Sequence, residues 1–143
     1  MTRTTELGLA AGLVRLANLV NRVFADVARE HGITPQQAQL LCKLIQGPVG
    51  MAELGRKLDL EKSSLTGLVD RAERRGLVRR VRDRRDRRAC LIELTDDGTR
   101  IAFETHQVVC DELEKAAVEV PVADQERMTD VIARIAPDAP EQG

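Results

Sequence analysis

The chain has no tryptophan and no tyrosine, and its 143 residues include only two phenylalanines, Phe24 and Phe103. A pocket walled by aromatic rings therefore has few side chains to draw on. Long apolar runs are missing as well: none approaches the roughly 18–20 residues a helix needs to cross a bilayer, which excludes a membrane-spanning segment and leaves a soluble protein as the expectation. Met1 to Glu6 leads into a helical pattern rather than a signal peptide's apolar core, so a reducing cytoplasm is expected. Cysteines are few, and Cys42, Cys90 and Cys110 are odd in number and far apart. That argues against a disulfide framework and fits free thiols. Catalytic signatures are absent too. There is no nucleophile motif, no phosphate-binding glycine loop and no metal-ligand pattern, and two isolated histidines make no catalytic set, so neither an enzyme nor a cofactor is expected.

What is present is 43% apolar and 31% charged sequence, the balance of one soluble globular domain. The net charge of −1 hides an asymmetry: residues 71–88 hold ten arginines against Glu73, Asp83 and Asp86, a local +7 that leaves −8 for the rest. Basic charge concentrated in one segment of an acidic chain favours a localised polyanion contact, because phosphates reward positive charge only where they touch it.

Periodicity orders the elements. Leu9, Leu13, Leu16, Val20, Phe24 and Val27 recur at steps of three and four and predict a long helix over Leu7–Glu30. His31-Gly32 ends it, and Thr34-Pro35 reads as an N-cap followed by proline in the first turn. In the helix that follows, Ala38, Leu41, Cys42 and Ile45 share one face while Leu40 and Leu44 lie on the other, which predicts cover on two sides. Gly47 to Gly50 is a break. Two short helices, Met51–Leu58 and Lys62–Arg75, follow with a tight connection between them; Leu65, Leu68, Val69 and Ala72 point inward, and Gly76 is the left-handed stop. The period then changes to two, predicting strands over Leu77–Arg82 and Arg88–Leu94 around a loop Asp83–Arg87. Thr95 with Asp96 and Asp97 starts another long helix reaching to about Val118. Pro121 separates it from a last helix bearing Met128, Val131, Ile132 and Ile135, and the tail 137–143 is expected to be disordered.

Helix, tight turn, helix and basic hairpin is the order of a winged helix-turn-helix. The second short helix offers Lys62, Ser63, Ser64, Thr66 and Gly67, small or cationic groups that let a helix end approach phosphates and base edges. Arg71 and Arg74 continue that helix, and the hairpin adds Arg82, Arg84, Arg85 and Arg88, planar cations suited to a narrow minor groove. Some arginines have other work: Arg79 and Arg80 can pair with acids, and Asp70 reads as a structural ion-pair partner rather than a DNA contact.

The stretches Ser63-Ser64-Leu65-Thr66-Gly67-Leu68-Val69-Asp70-Arg71, Gly76-Leu77-Val78-Arg79-Arg80, Asp86-Arg87-Arg88-Ala89 and Leu94-Thr95-Asp96-Asp97-Gly98 resemble the core of the multiple-antibiotic-resistance (MarR) regulator family. With the flanking helices the likeness covers almost the whole chain. The resemblance implies a mainly α fold with a small β-hairpin wing, in one domain over 1–143: a winged helix-turn-helix over 34–98 between dimerisation helices at 1–31 and 99–136. It implies double-stranded DNA, a second copy of the chain and a small-molecule effector as partners, with repression at a pseudo-palindromic operator. It assigns Asp86 to orient Arg88, and Arg88 to enter the minor groove. Two departures from the family, Ala72 for a usual leucine and Gly55 for a common alanine, predict looser packing under the recognition helix. Family members commonly enclose aromatic acids, for which this chain has only Phe24 and Phe103 to offer.

Rival readings stay open at this point. Cys42, His106 and Cys110 are candidate sensor residues for a redox- or metal-responsive regulator of the same fold: His106, Cys110 and Glu114 are spaced four apart on one helical face. Against that, Cys42 lies on an apolar face, whereas a sensor thiol needs exposure and a lowered pKa. A winged helix serving as a protein-interaction module is the other rival.

Overall fold

The computed structural model describes residues 2–137, and within them the chain forms six helices and three short strands: α1 (Thr2–Glu30), α2 (Pro35–Lys43), β1 (Val49–Gly50), α3 (Met51–Leu58), α4 (Lys62–Arg74), β2 (Val78–Arg82), β3 (Cys90–Leu94), α5 (Asp96–Ala116) and α6 (Val122–Ile135). The architecture is mainly α with a small sheet, as expected. Of the tail expected to be disordered, residues 138–143 lie outside the described residues.

Local signals account for most boundaries. α1 begins ahead of the predicted Leu7 and is interrupted at Gly8, which adopts φ 64. At its other end Ile33 N donates to Ala28 O, and Gly32 takes the left-handed conformation that turns the chain. Thr34 and Gln37 then form a reciprocal capping box, the Thr34 hydroxyl accepting from Gln37 N at 3.1 Å and the Gln37 side chain accepting from Thr34 N at 2.9 Å. α2 runs through the middle of the chain's fold: Ala38, Leu40, Leu41 and Leu44 are all buried, so both of its apolar faces are covered. Together with Leu54, Leu65, Leu68, Val69, Val78 and Ile92 they form one core.

The sheet corrects the sequence reading. It has three antiparallel strands in the order β1-β3-β2, with Val49 opposite Ile92 and Val78 opposite Leu94. Val49-Gly50 was expected only as part of a break. Two residues carry no alternation, and what makes them a strand is a partner some forty residues away. The wing loop is also longer than expected, because β2 stops at Arg82 and β3 begins only at Cys90. Asp83 accepts from Arg85 N at 2.9 Å and Asp86 from Arg88 N at 3.0 Å, local turns that draw the backbone away from the ladder.

Packing beneath α4 is tight where looseness was predicted. A Cβ on Gly55 would stand 3.2 Å from Leu60 O, so α3 and the turn close into the space an alanine would take. Asp59 makes that turn with a left-handed φ of 52, and Leu60 N bonds back to Gly55 O. The closest approach joins the hairpin to α5: a Cβ on Gly98 would lie 1.8 Å from Leu77 O, a position only glycine can occupy. Thr95 holds it there, donating to Gly76 O at 2.5 Å and accepting from Gly98 N at 3.0 Å.

Two features tie the helices outside the wing to the rest. His31 sits 3.1 Å from both Val27 O and Glu104 Oε2, bridging the end of α1 to α5. Gln125 donates to Ala117 O and Val120 O and so fixes the turn into α6. Among the described residues α6 itself buries none of its side chains.

Candidate nucleic-acid interface

The inward row of α4, Leu65, Leu68, Val69 and Ala72, is buried, which turns the opposite row outward. Lys62, Ser63 and Ser64 are exposed at its start, Thr66 and Gly67 are half-buried one turn on, and Arg71 and Arg74 are exposed beyond them. The N-terminal residues Glu61, Lys62, Ser63 and Thr66 line an open groove. No acidic residue occupies the first turn of α4 and Glu61 makes no side-chain cap, so its leading N–H groups face outward with the polarity that favours an anion. Thr66 spends its hydroxyl proton on Lys62 O at 2.8 Å, leaving a methyl group and a lone pair to meet a partner.

The wing is joined to this helix by one arginine. Arg80 of β2 donates from Nη2 to Asp70 Oδ1 and from Nη1 to Glu73 Oε1, both at 2.6 Å. The Asp70 hydrogen bond, reinforced by the charge of Glu73, raises the Arg80 pKa above its ordinary value. Asp70 is thus an ion-pair partner, as the sequence reading had it. Arg79 pairs with Glu93 across the hairpin, and Arg75 donates to Gly32 O at 2.7 Å, a tie to the end of α1 that the sequence did not reveal. The other seven arginines of the basic segment, Arg71, Arg74, Arg82, Arg84, Arg85, Arg87 and Arg88, have no carboxylate partner among the described residues. The division follows the strand: Arg79 and Arg80, on opposite faces of β2, are ion-paired, while Arg71 and Arg74 on α4 and the five arginines at the wing tip have no carboxylate partner among the described residues.

At the tip Arg84, Arg85, Asp86 and Arg88 are exposed, and Arg82 is exposed at the end of β2. Asp86 engages Arg88 through its backbone amide, shaping the loop from which the guanidinium projects. Arg87 was not among the candidate contacts, yet it lines the same concavity as Arg80, Arg82 and Arg88. The arginine run itself was the signal for it.

The candidate sensor residues fall on α2 and α5, away from this surface. Burial pushes the Cys42 thiol up to about 11, with the negative charge of a Cys110 thiolate adding to the effect. Cys110 Sγ lies 3.6 Å from His106 Nε2, at the exposed side of α5. Among the described residues no three histidine, cysteine or acidic side chains stand close enough to hold a metal ion. Cys90 is half-buried in β3. No helix among the described residues is long and apolar enough to cross a membrane.

Comparison with known proteins agrees with this geometry. Residues 31–89 match the sequence model of the MarR family. The multiple antibiotic resistance protein MarR of Salmonella typhimurium is 31% identical over 100 residues, covering 66% of this chain and 69% of the relative. The transcriptional activatory protein BadR of Rhodopseudomonas palustris is 32% identical over 93 residues, 62% of this chain and 53% of BadR. The chain spans about half the length of several of the curated relatives it matches. In fold it is similar to CouR from Rhodococcus jostii RHA1, solved bound to p-coumaroyl-CoA, with a TM-score of 0.82 at 24% identity over 94% of this chain and 95% of CouR.

Proposed function

Since the chain belongs to the MarR family of transcriptional regulators, we propose that it acts as a homodimer on a pseudo-palindromic operator, represses transcription by occupying it, and is released by a small organic ligand. The observation that carries this reading is the set of seven arginines without carboxylate partners, shared between α4 and the wing tip, which Arg80 holds as one unit. In the proposed complex α4 enters the major groove and the wing lies along the flanking minor groove, where Arg88 and its neighbours meet a narrow, electronegative channel. A dimer sets two such heads about 34 Å apart, one turn of the duplex. The second copy also supplies the cover for apolar side chains that the protomer leaves exposed: Leu9, Leu13 and Leu16 on α1, and Met128, Val131, Ile132 and Ile135 on α6.

The ligand acts between the dimer helices and the reading heads, and it releases DNA only to the extent that it binds the released spacing more tightly than the bound one. CouR, a neighbour in fold, holds an acyl-CoA thioester. Here Phe24 is half-buried and Phe103 exposed, so a cavity closed by several rings is not what this chain offers. Catalysis plays no part in the reading, and neither does a metal. A redox role for Cys42 is poorly supported, because a thiol raised to about 11 stays protonated and unreactive.

The test is selection of bound sequences from a random duplex pool, then titration of the winner at two salt concentrations. An enriched inverted repeat with a steep salt slope, together with a monomer-to-dimer mass by sedimentation, supports the reading. Salt-sensitive binding that enriches no sequence overturns it in favour of a non-specific architectural role. An absence of binding at low salt overturns it in favour of a protein-interaction module. Repression is tested by a reporter behind the selected operator; increased expression on adding the protein would place it with activators, as BadR is by name.

A further inference from the structure

We propose that Arg71 reads a guanine in the major groove, its guanidinium donating to the O6 and N7 of that base; the inference rests on the operator-binding reading above and gives it a specificity determinant. The side chain does not extend freely from α4. A Cβ placed on Gly67 would lie 3.1 Å from Arg71 Nη1 and 3.9 Å from its Cζ and Nη2, so the guanidinium is folded back one turn and lies across the helix where residue 67 has no side chain. Four residues separate the two, about 6 Å along the axis. Folding back therefore carries the charged head from the C-terminal half of the 13-residue helix towards its middle, the part that can reach the groove floor.

Three further observations favour base reading over phosphate contact. Arg71 is exposed and has no carboxylate partner among the described residues; the acids beside it, Asp70 and Glu73, are both engaged by Arg80. The outward row Ser63, Gly67 and Arg71 is otherwise built of small groups, so the helix surface can come close to the bases and leave this one fork to meet them. The nearby Thr66 has committed its hydroxyl proton to Lys62 O and cannot donate to a base. A fork already seated against the helix loses less rotamer freedom on binding, and its planar pair of donors matches the guanine edge. Arg74, one turn further on, has Asp70 rather than a glycine four residues back and is assigned to a phosphate.

The experiment repeats the pool selection with purified full-length wild type, Arg71→Ala, Arg71→Lys, Gly67→Ala and Arg74→Ala, each shown by its thermal melt to be folded. The wild type is expected to select one guanine per half-site that Arg71→Ala no longer prefers, a loss of about tenfold to hundredfold in discrimination at that position alone. Arg71→Lys keeps the charge without the fork and should hold affinity for random duplex while losing the same preference. Gly67→Ala, whose Cβ would crowd Arg71 Nη1 at 3.1 Å and shift the guanidinium by a few tenths of an ångström, should weaken the preference partially. Arg74→Ala should lower affinity on all sequences alike and reduce the salt slope by about one. If Arg71→Ala keeps the guanine preference and binds every sequence more weakly, Arg71 is a phosphate contact and the inference fails while the regulator reading stands. A wild type that enriches no sequence overturns the regulator reading first, and this inference with it.

Discussion

The winged-helix half of the protomer and its terminal helices are made from the same kinds of residue at the same spacings, yet they differ in what covers them. Leu40, Leu41, Leu54 and Ile92 have no accessible surface, and Leu65, Leu68 and Val69 are buried to within 2%. Leu9 is 74% exposed, Ile135 is 52% exposed, and α6 buries nothing among the described residues. Helical periodicity announces that a face is to be covered; it does not say by what. One half of this chain covers its own faces. The other presents leucine, valine, methionine and isoleucine to solvent, and each such side chain gains about 1.5–3 kcal/mol when fully buried. The winged-helix half is thus complete in one copy, while the terminal helices leave apolar faces that only the proposed second copy would cover.

The comparison breaks most severely at Gly98. A Cβ there would overlap Leu77 O, a backbone atom held by the hairpin, so α5 and β2 cannot both keep their places in Gly98→Ala. We expect a loss of about 4 kcal/mol or more, read by urea titration as a transition moved to low denaturant or lost. A wild-type midpoint would mean that the close approach of α5 to the hairpin is not needed for the core. The next effect is on assembly. Met128→Asp with Ile132→Asp puts two charges on an exposed α6 face and should leave the protomer folded by circular dichroism while sedimentation shows monomer. Operator affinity should then fall by about a hundredfold or more, because two linked heads become two independent ones. If that variant instead unfolds, the reading head is not complete in one copy and the division drawn above is wrong.

How far the sequence foretold this structure follows the same line. Where a signal is local it was legible. Thr34-Pro35 marked the start of α2 because a capping box is made within four residues; Met51–Leu58 was bounded correctly; Gly76 was the stop of α4 because its left-handed φ is a property of one residue. Where the deciding contact is distant, legibility failed. β1 exists only through its pairing with β3, and the predicted looseness at Gly55 disappears because Leu60 moves in. The site shows the same pattern. The arginine run pointed to the candidate interface, and Asp70 was read as a salt-bridge partner, which its pairing with Arg80 bears out. That Arg79 and Arg80 pair with acids was also legible, but that the acids include Glu93 and Glu73, and that Arg75 is held by Gly32 O, was not in the pattern. Arg87 belongs to the run, but the Asp86-x-Arg88 spacing singles out Arg88 instead.

The smallest effect is expected at the seam between the two halves, where Cys42 of α2 stands near Cys110 of α5. Burial, and then the charge of Cys110, raise the Cys42 thiol from 9.0 to about 11. The folded state thus favours the protonated form: any stability gained this way is complete below pH 9, and is lost as pH rises through about 11. At pH 8 the thiolate fraction of Cys42 should be about a hundredfold lower than in the unfolded chain, and thiolate is the species that reacts with iodoacetamide. Timed alkylation followed by peptide mapping should therefore find Cys42 modified about a hundredfold more slowly in folded protein than in urea, with dimer mass and operator binding unchanged over that interval. Equal rates in the two states would mean that α2 and α5 part often enough to expose the thiol. The seam would then be a place where the platform and the reading head move against each other, and the self-contained core would have to be redrawn without α2.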